Sequence, residues 1–152
     1  MSSEYTAHAG VVLGLDPGAV RIGVARQVDP ASSLAVALPT IVQGEFAIPQ
    51  IIEILDSVTP RLVVVGLPLR MDGTLGPAAR ASLDFARALG GRSTIPVRMI
   101  DERLTTVQAQ RRLHAAGEDV RASRAKIDAA SAIILVEAVL AGVPSRDPAE
   151  FD

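Results

Sequence analysis

Apolar residues change period several times along this chain, and each change marks an element. Val11 to Asp16 is a short apolar run closed by Pro17 and Gly18, the pattern of a strand entering a turn. Ile22, Val24 and Val28 then take alternate positions, as do Leu34, Val36 and Leu38. Short connections join these segments, so the pattern predicts a three-strand antiparallel meander. Between Ala47 and Val58 the period becomes helical through Ile48, Ile51, Ile52 and Leu55, with Pro49 in the first turn.

The second half alternates between the two periods. Leu62 to Val65 is apolar without alternation, which predicts a strand covered on both faces. A loop rich in Gly and Pro follows to Gly76. Leu83, Ala86 and Leu89 then predict a helix stopped at Gly90 and Gly91. Pro96 to Ile100 predicts a fifth strand. A helix capped by Thr105 or Thr106 is expected to reach Ala116, and a last apolar helix to run from Ser123 to about Gly142. The order β-β-β-α-β-α-β-α-α predicts a mixed five-stranded sheet, a meander plus two parallel strands, with helices on both faces.

Composition narrows the chemistry. A chain of 152 residues with 49% hydrophobic content suits one core. The absence of cysteine excludes disulfides, thiolate metal sites and a thiol nucleophile. No secretory signal is legible at the start, and Ile127 to Val143 carries Asp128, Ser131 and Glu137, so it reads as a core helix and a cytoplasmic protein is expected, with no membrane partner. The net charge is −2, yet Arg103, Arg111, Arg112, Arg121, Arg124 and Lys126 face only Glu118 and Asp119 in their segment. Fourteen arginines against one lysine suit phosphate geometry, although base composition of the genome would give the same bias. With three Phe, one Tyr and no Trp, nucleic acid would be held by charge and shape more than by aromatic stacking.

Three carboxylates mark candidate chemistry. Asp16 ends the first strand, Glu102 the fifth, and Asp128 lies near the start of the last helix. Acids at such positions can hold divalent ions that drive phosphodiester hydrolysis. Each has a plainer explanation: a turn cap for Asp16, a favourable helix-start charge for Asp101 or Glu102, and a surface ion pair for Asp128. Strand alternation puts Asp101 and Glu102 on opposite faces, so one of the two is expected at the site, and periodicity does not choose between them. Arg21 and Arg70 lie in Gly-marked turns from which each could meet a phosphate. His8 and His114 carry no expected role.

Four segments together resemble the YqgF/RuvX family, described as Holliday-junction resolvases and as pre-16S rRNA nucleases. They are Leu15-Asp16-Pro17-Gly18 with Arg21 to Ala25, Val65 to Thr74, Asp101 to Thr106, and Lys126 to Ala132. The resemblance spans nearly all of residues 10–142. It implies a ribonuclease H-like nuclease domain there; on either side the sequence itself predicts a flexible N-terminus over 1–9 and a flexible tail over 143–152. The resemblance also implies a triad of Asp16, Glu102 and Asp128, choosing Glu102 over Asp101. Two Mg²⁺ or Mn²⁺ ions would be shared by these acids, with Asp16 bridging them. Arg21, Arg70, Arg103, Arg111, Arg112, Arg121, Arg124 and Lys126 would position the strand. The expected role is 5′-end processing of the 16S rRNA precursor. The alternatives are resolution of branched DNA and a non-catalytic ribosome-assembly factor. An ATP-dependent phosphotransferase built on the Asp16–Gly18 turn would need a second lobe, for which the chain has no room. Monomer and homodimer both remain open.

Overall fold

The computed structural model describes residues 10–105 and 124–151, for 124–128 the backbone only. Its strands are β1 (Val12–Pro17), β2 (Arg21–Gln27), β3 (Ala35–Val42), β4 (Leu62–Leu67) and β5 (Val97–Asp101). Its helices are α1 (Ala47–Val58), α2 (Pro77–Gly90) and α3 (Arg124–Leu140). The strands form one sheet in the order β3-β2-β1-β4-β5. β1, β2 and β3 pair antiparallel, while β4 runs parallel to both β1 and β5. The expected meander plus two parallel strands is therefore the architecture observed.

Side-chain alternation divides the sheet into two buried faces. Leu13, Leu15, Val63, Val65, Leu67 and Met99 meet Ile51 and Leu55 of α1 and Leu83, Ala86 and Leu89 of α2. Val12, Ala25, Val64 and Ile100 meet Ala132, Leu135 and Val136 of α3. β4 is apolar throughout because both of its faces are covered, Val63 to Leu67 all being buried. The parallel strands β1, β4 and β5 end at the same edge of the sheet, where ligands of such sheets tend to bind.

Two features set how closely the layers approach that edge. A Cβ at Gly14 would lie 2.8 Å from the Ala132 carbonyl oxygen and 2.6 Å from Val136 Cγ2, so α3 rests directly on the β1 backbone. On the other side of β1, the β2–β3 register shifts between Ile22 and Val24, leaving Pro39 and Thr40 opposite Gly23. Gly23 is itself the partner of Asp16. Such a bulge bends a strand and is common beside functional sites, and the proline fits because β3 is an edge strand.

The segment expected to fray, 143–152, runs beside β5 as far as residue 151. Met99 and Arg146 exchange backbone hydrogen bonds of 2.7 and 2.9 Å. Arg98 donates to the Ser145 side chain and carbonyl, and Arg87 to the Pro148 and Phe151 carbonyls. These contacts cover an open sheet edge. The expected N-terminus 1–9, both histidines, the expected helix to Ala116 with Arg111 and Arg112, and Arg121 in the polar segment after it lie outside the described residues. No described helix is long and apolar enough to cross a membrane.

Gly14→Ala should lower stability by about 1–3 kcal/mol in urea unfolding, because α3 must lift off β1. An unchanged midpoint would contradict the close approach.

Candidate active site

Asp16 belongs to the same face of β1 as Val12 and Gly14, the face beneath α3. Its neighbour Leu15 pairs with Val65, so Asp16 stands one strand spacing from Gly66, roughly 4.8 Å. Gly66 pairs with Ile100, which puts Glu102 just past the end of β5 on the same α3 face. Glu102 opens a 3₁₀ turn, Glu102–Leu104, and folds back over β4. A Cβ at Gly66 would meet Glu102 Oε2 at 2.8 Å and Leu135 Cδ1 at 3.2 Å. The missing side chain at Gly66 is thus the space that holds the Glu102 carboxylate beside Asp16.

The backbone of Asp128 lies at the same end. Ala132 rests on Gly14, and Glu137, further along α3, accepts from the Ala35 N–H at 3.0 Å at the far end of the sheet. Four residues back along a helix advance roughly 6 Å, and two residues along β1 advance roughly 6.8 Å. Asp128 is therefore about level with Asp16.

The two adjacent acids of β5 and its turn have separate fates. Asp101 faces away from Glu102 and is held by Arg103, whose Nη2 is 2.6 Å from Oδ2 and whose backbone N–H donates to Oδ1 at 2.9 Å. Arg103 holds the Asp101 carboxyl below its usual range despite partial burial. Glu102 shifts the other way. Burial first, then the Asp16 and Asp101 charges, raise its carboxyl from 4.5 to about 7. Two carboxylates crowded on a partly buried face favour a proton or a cation between them. Among the described residues no third acid or histidine joins this pair closely enough to complete a metal site.

The cationic residues fall into groups. Arg21 begins β2 on the face of its neighbour Gly23, diagonal to Asp16, after a turn closed by the Gly18 N–H donating to the Arg21 carbonyl at 2.8 Å. Arg70 is exposed at the base of the loop after β4, with Nη1 3.5 Å from Thr74 Oγ1. Arg103, expected as a phosphate contact, is ion-paired with Asp101 and donates to the Met71 carbonyl at 3.3 Å. Arg124 and Lys126 fall in the first turn of α3. Sequence reading passed over Gly66 and Gly14, although a glycine inside an apolar strand is a sign that another backbone or group comes close.

The edge where these acids meet is that of a nuclease fold. The chain matches the family model RuvX, Holliday junction resolvase, over residues 10–142. It belongs to this family, a family of nucleases. It is 42% identical to the "Putative pre-16S rRNA nuclease" of Kineococcus radiotolerans over 135 residues, 86% of this chain and 71% of that one. The protein of the same name from Thermobifida fusca is 42% identical, covering 86% and 87% of the two chains. That from Mycobacterium leprae is 38% identical, covering 100% and 84%. Among solved structures, Thermus thermophilus RuvC in complex with a Holliday junction substrate aligns with a TM-score of 0.55 at 18% identity, covering 90% of this chain and 98% of that one. The structure titled Thermus thermophilus RuvC aligns at 0.57 and 16%, covering the same shares of the two chains. These structures carry the fold, which is ribonuclease H-like.

Between pH 4.5 and about 7 the folded chain keeps a proton on Glu102 that the unfolded chain has released. Stability of the metal-free protein should therefore fall as pH rises through that window, by at most about 3 kcal/mol. Glu102→Gln does not titrate. Its advantage over the wild-type chain in urea unfolding with chelator should grow by about 1–3 kcal/mol from about pH 5 to about pH 8. A gap independent of pH would contradict the raised Glu102 carboxyl, which burial first and then the Asp16 charge produce.

Proposed function

We propose that this chain hydrolyses nucleic-acid phosphodiesters through divalent ions held by Asp16, Glu102 and Asp128, in 5′-end processing of the 16S rRNA precursor in the cytoplasm. The observation that carries the reading is the pair Asp16 and Glu102 on one sheet face, side by side across Gly66. The donor set fits Mg²⁺ or Mn²⁺, since it offers only hard oxygen ligands. Glu102's tendency to keep a proton, together with the space above Gly66, fits a cation taking that proton's place. Two such ions, when bound, supply a nucleophile from water at neutral pH and stabilise charge on the leaving oxygen.

The chain's own groups supply the rest. Asp16, central in the sheet, and Glu102, over β4, provide carboxylate oxygens on one side. Asp128 reaches the same level from the helix above. Arg21 and Arg70 flank the acids at the sheet edge and hold backbone phosphates, and Arg111, Arg112, Arg121, Arg124 and Lys126 supply further phosphate contacts. Arg103 serves this surface indirectly by neutralising Asp101 and bracing the loop after β4. A second reading, cleavage of branched DNA, is favoured by the description of the family as Holliday junction resolvases.

Cleavage of precursor 16S rRNA and of four-way DNA junctions, with and without Mn²⁺, tests both readings. Asp16→Asn, Glu102→Gln and Asp128→Asn should each lower cleavage about a hundred-fold or more, equivalent to several kcal/mol of lost transition-state stabilisation. Each should still bind nucleic acid, because the arginines hold the phosphates. Asp101→Asn should keep most activity. Full activity in Asp16→Asn would remove the metal mechanism, and loss in Asp101→Asn with retention in Glu102→Gln would assign the catalytic role to Asp101 instead of Glu102.

A further inference from the structure

The loop leaving β4 carries a short hairpin whose construction is out of proportion to a simple connection. Arg70 N–H donates to the Thr74 carbonyl at 3.0 Å, and Gly73 N–H to the Arg70 carbonyl at 2.8 Å. Inside it, the Asp72 carboxylate accepts from the Thr74 N–H at 3.0 Å and from its hydroxyl at 2.6 Å. Gly73 adopts φ +85°, a conformation that other residues rarely take. From below, Arg103 bridges the Met71 carbonyl to Asp101, the residue before Glu102. Backbone, side-chain and ion-pair contacts therefore fix this hairpin to the strand that carries a proposed catalytic acid.

At the tip of this rigid turn stands Met71, 90% exposed, the most exposed large apolar side chain among the described residues. A methionine so placed makes no contribution to the core. Its exposure adds nothing to folding, and it stands on a braced turn next to Arg70, at the sheet edge that carries Asp16 and Glu102. The surroundings suit nucleic acid: Arg70 stands beside it, and the acids lie at the foot of the same loop. Methionine is among the apolar side chains that wedge between bases, and its thioether makes favourable contacts with aromatic rings.

We infer that Met71 is a wedge: on the proposed nuclease reading, it inserts against the base at the border of paired and unpaired strand and so sets which phosphate reaches Asp16 and Glu102. The hairpin keeps the tip at a fixed offset from the acids. Met71 is a positioning residue, acting on the base stack and not on the reacting phosphate. It gives selectivity for a structural border without reading sequence.

The test uses an RNA hairpin with a 5′ single-stranded extension, carrying 2-aminopurine at the first unpaired position, and a blunt duplex with the probe in its middle. Binding is followed with Mg²⁺ in the Asp16→Asn chain, with and without Met71→Gln or Met71→Leu. With Met71 in place, probe fluorescence at the border should rise about two-fold or more as the base unstacks. Met71→Gln should abolish most of that rise and weaken binding of the extended RNA about three- to ten-fold, several-fold more than for the blunt duplex. Met71→Leu, which keeps an apolar tip, should retain both effects. An equal rise with Met71→Gln, or binding with no rise at all, would overturn the wedge while leaving the nuclease reading intact. Failure to bind either RNA would overturn the wedge and the rRNA-processing reading together.

Discussion

The site depends on the absence of a side chain at Gly66. The fifth strand ends with a carboxylate that has to fold back over β4 to stand beside Asp16, and a Cβ at that point would lie within 2.8 Å of Glu102 Oε2. Gly14 does the same for the helix above, letting α3 rest on β1 at backbone contact distance. The two glycines bring three layers into register: the β1 acid, the acid past β5, and the first turns of α3. Buried strand glycines weaken a sheet, so their presence at these two positions trades stability for proximity of charge.

That proximity has an electrostatic cost which the neighbouring residues divide unevenly. Asp101 and Glu102 are adjacent in the chain but face opposite ways. The first is neutralised by the Arg103 fork and stays ionised. The second, partly buried and facing Asp16, holds its proton to about pH 7. With Arg103 paired to Asp101, Glu102 and Asp16 face each other without that guanidinium between them. The arrangement found leaves the negative potential concentrated under α3 and uses the arginine to brace the loop that borders it.

Much of this was legible in the sequence. Element order and period gave the meander, the two crossovers and the doubly covered β4, because each rests on local alternation and on turn residues such as Pro17 and Gly18. Alternation also separated Asp101 from Glu102 onto opposite faces, but choosing between them needed the family resemblance, since which face α3 covers is a long-range fact. The contacts of the segment after Gly142 escaped notice for a similar reason: they depend on Arg87 and Arg98, more than forty residues away. Arg103 looked like a phosphate contact because an exposed arginine beside two acids reads the same whether it faces solvent or a carboxylate. The local pattern around Met71 does not foretell its exposed position, which depends on the Asp72–Thr74 contacts and the Arg103 bridge.

The central claim is that a divalent ion and a proton compete for the same carboxylate, Glu102. Calorimetry of Mn²⁺ binding in buffers of different ionisation enthalpy measures the protons released per ion bound. At about pH 6, a group titrating near 7 is roughly nine-tenths protonated, so the wild-type chain should release close to one proton per site, and Glu102→Gln close to none. Mn²⁺ binding without proton release, or with the same release after Glu102→Gln, would contradict the account.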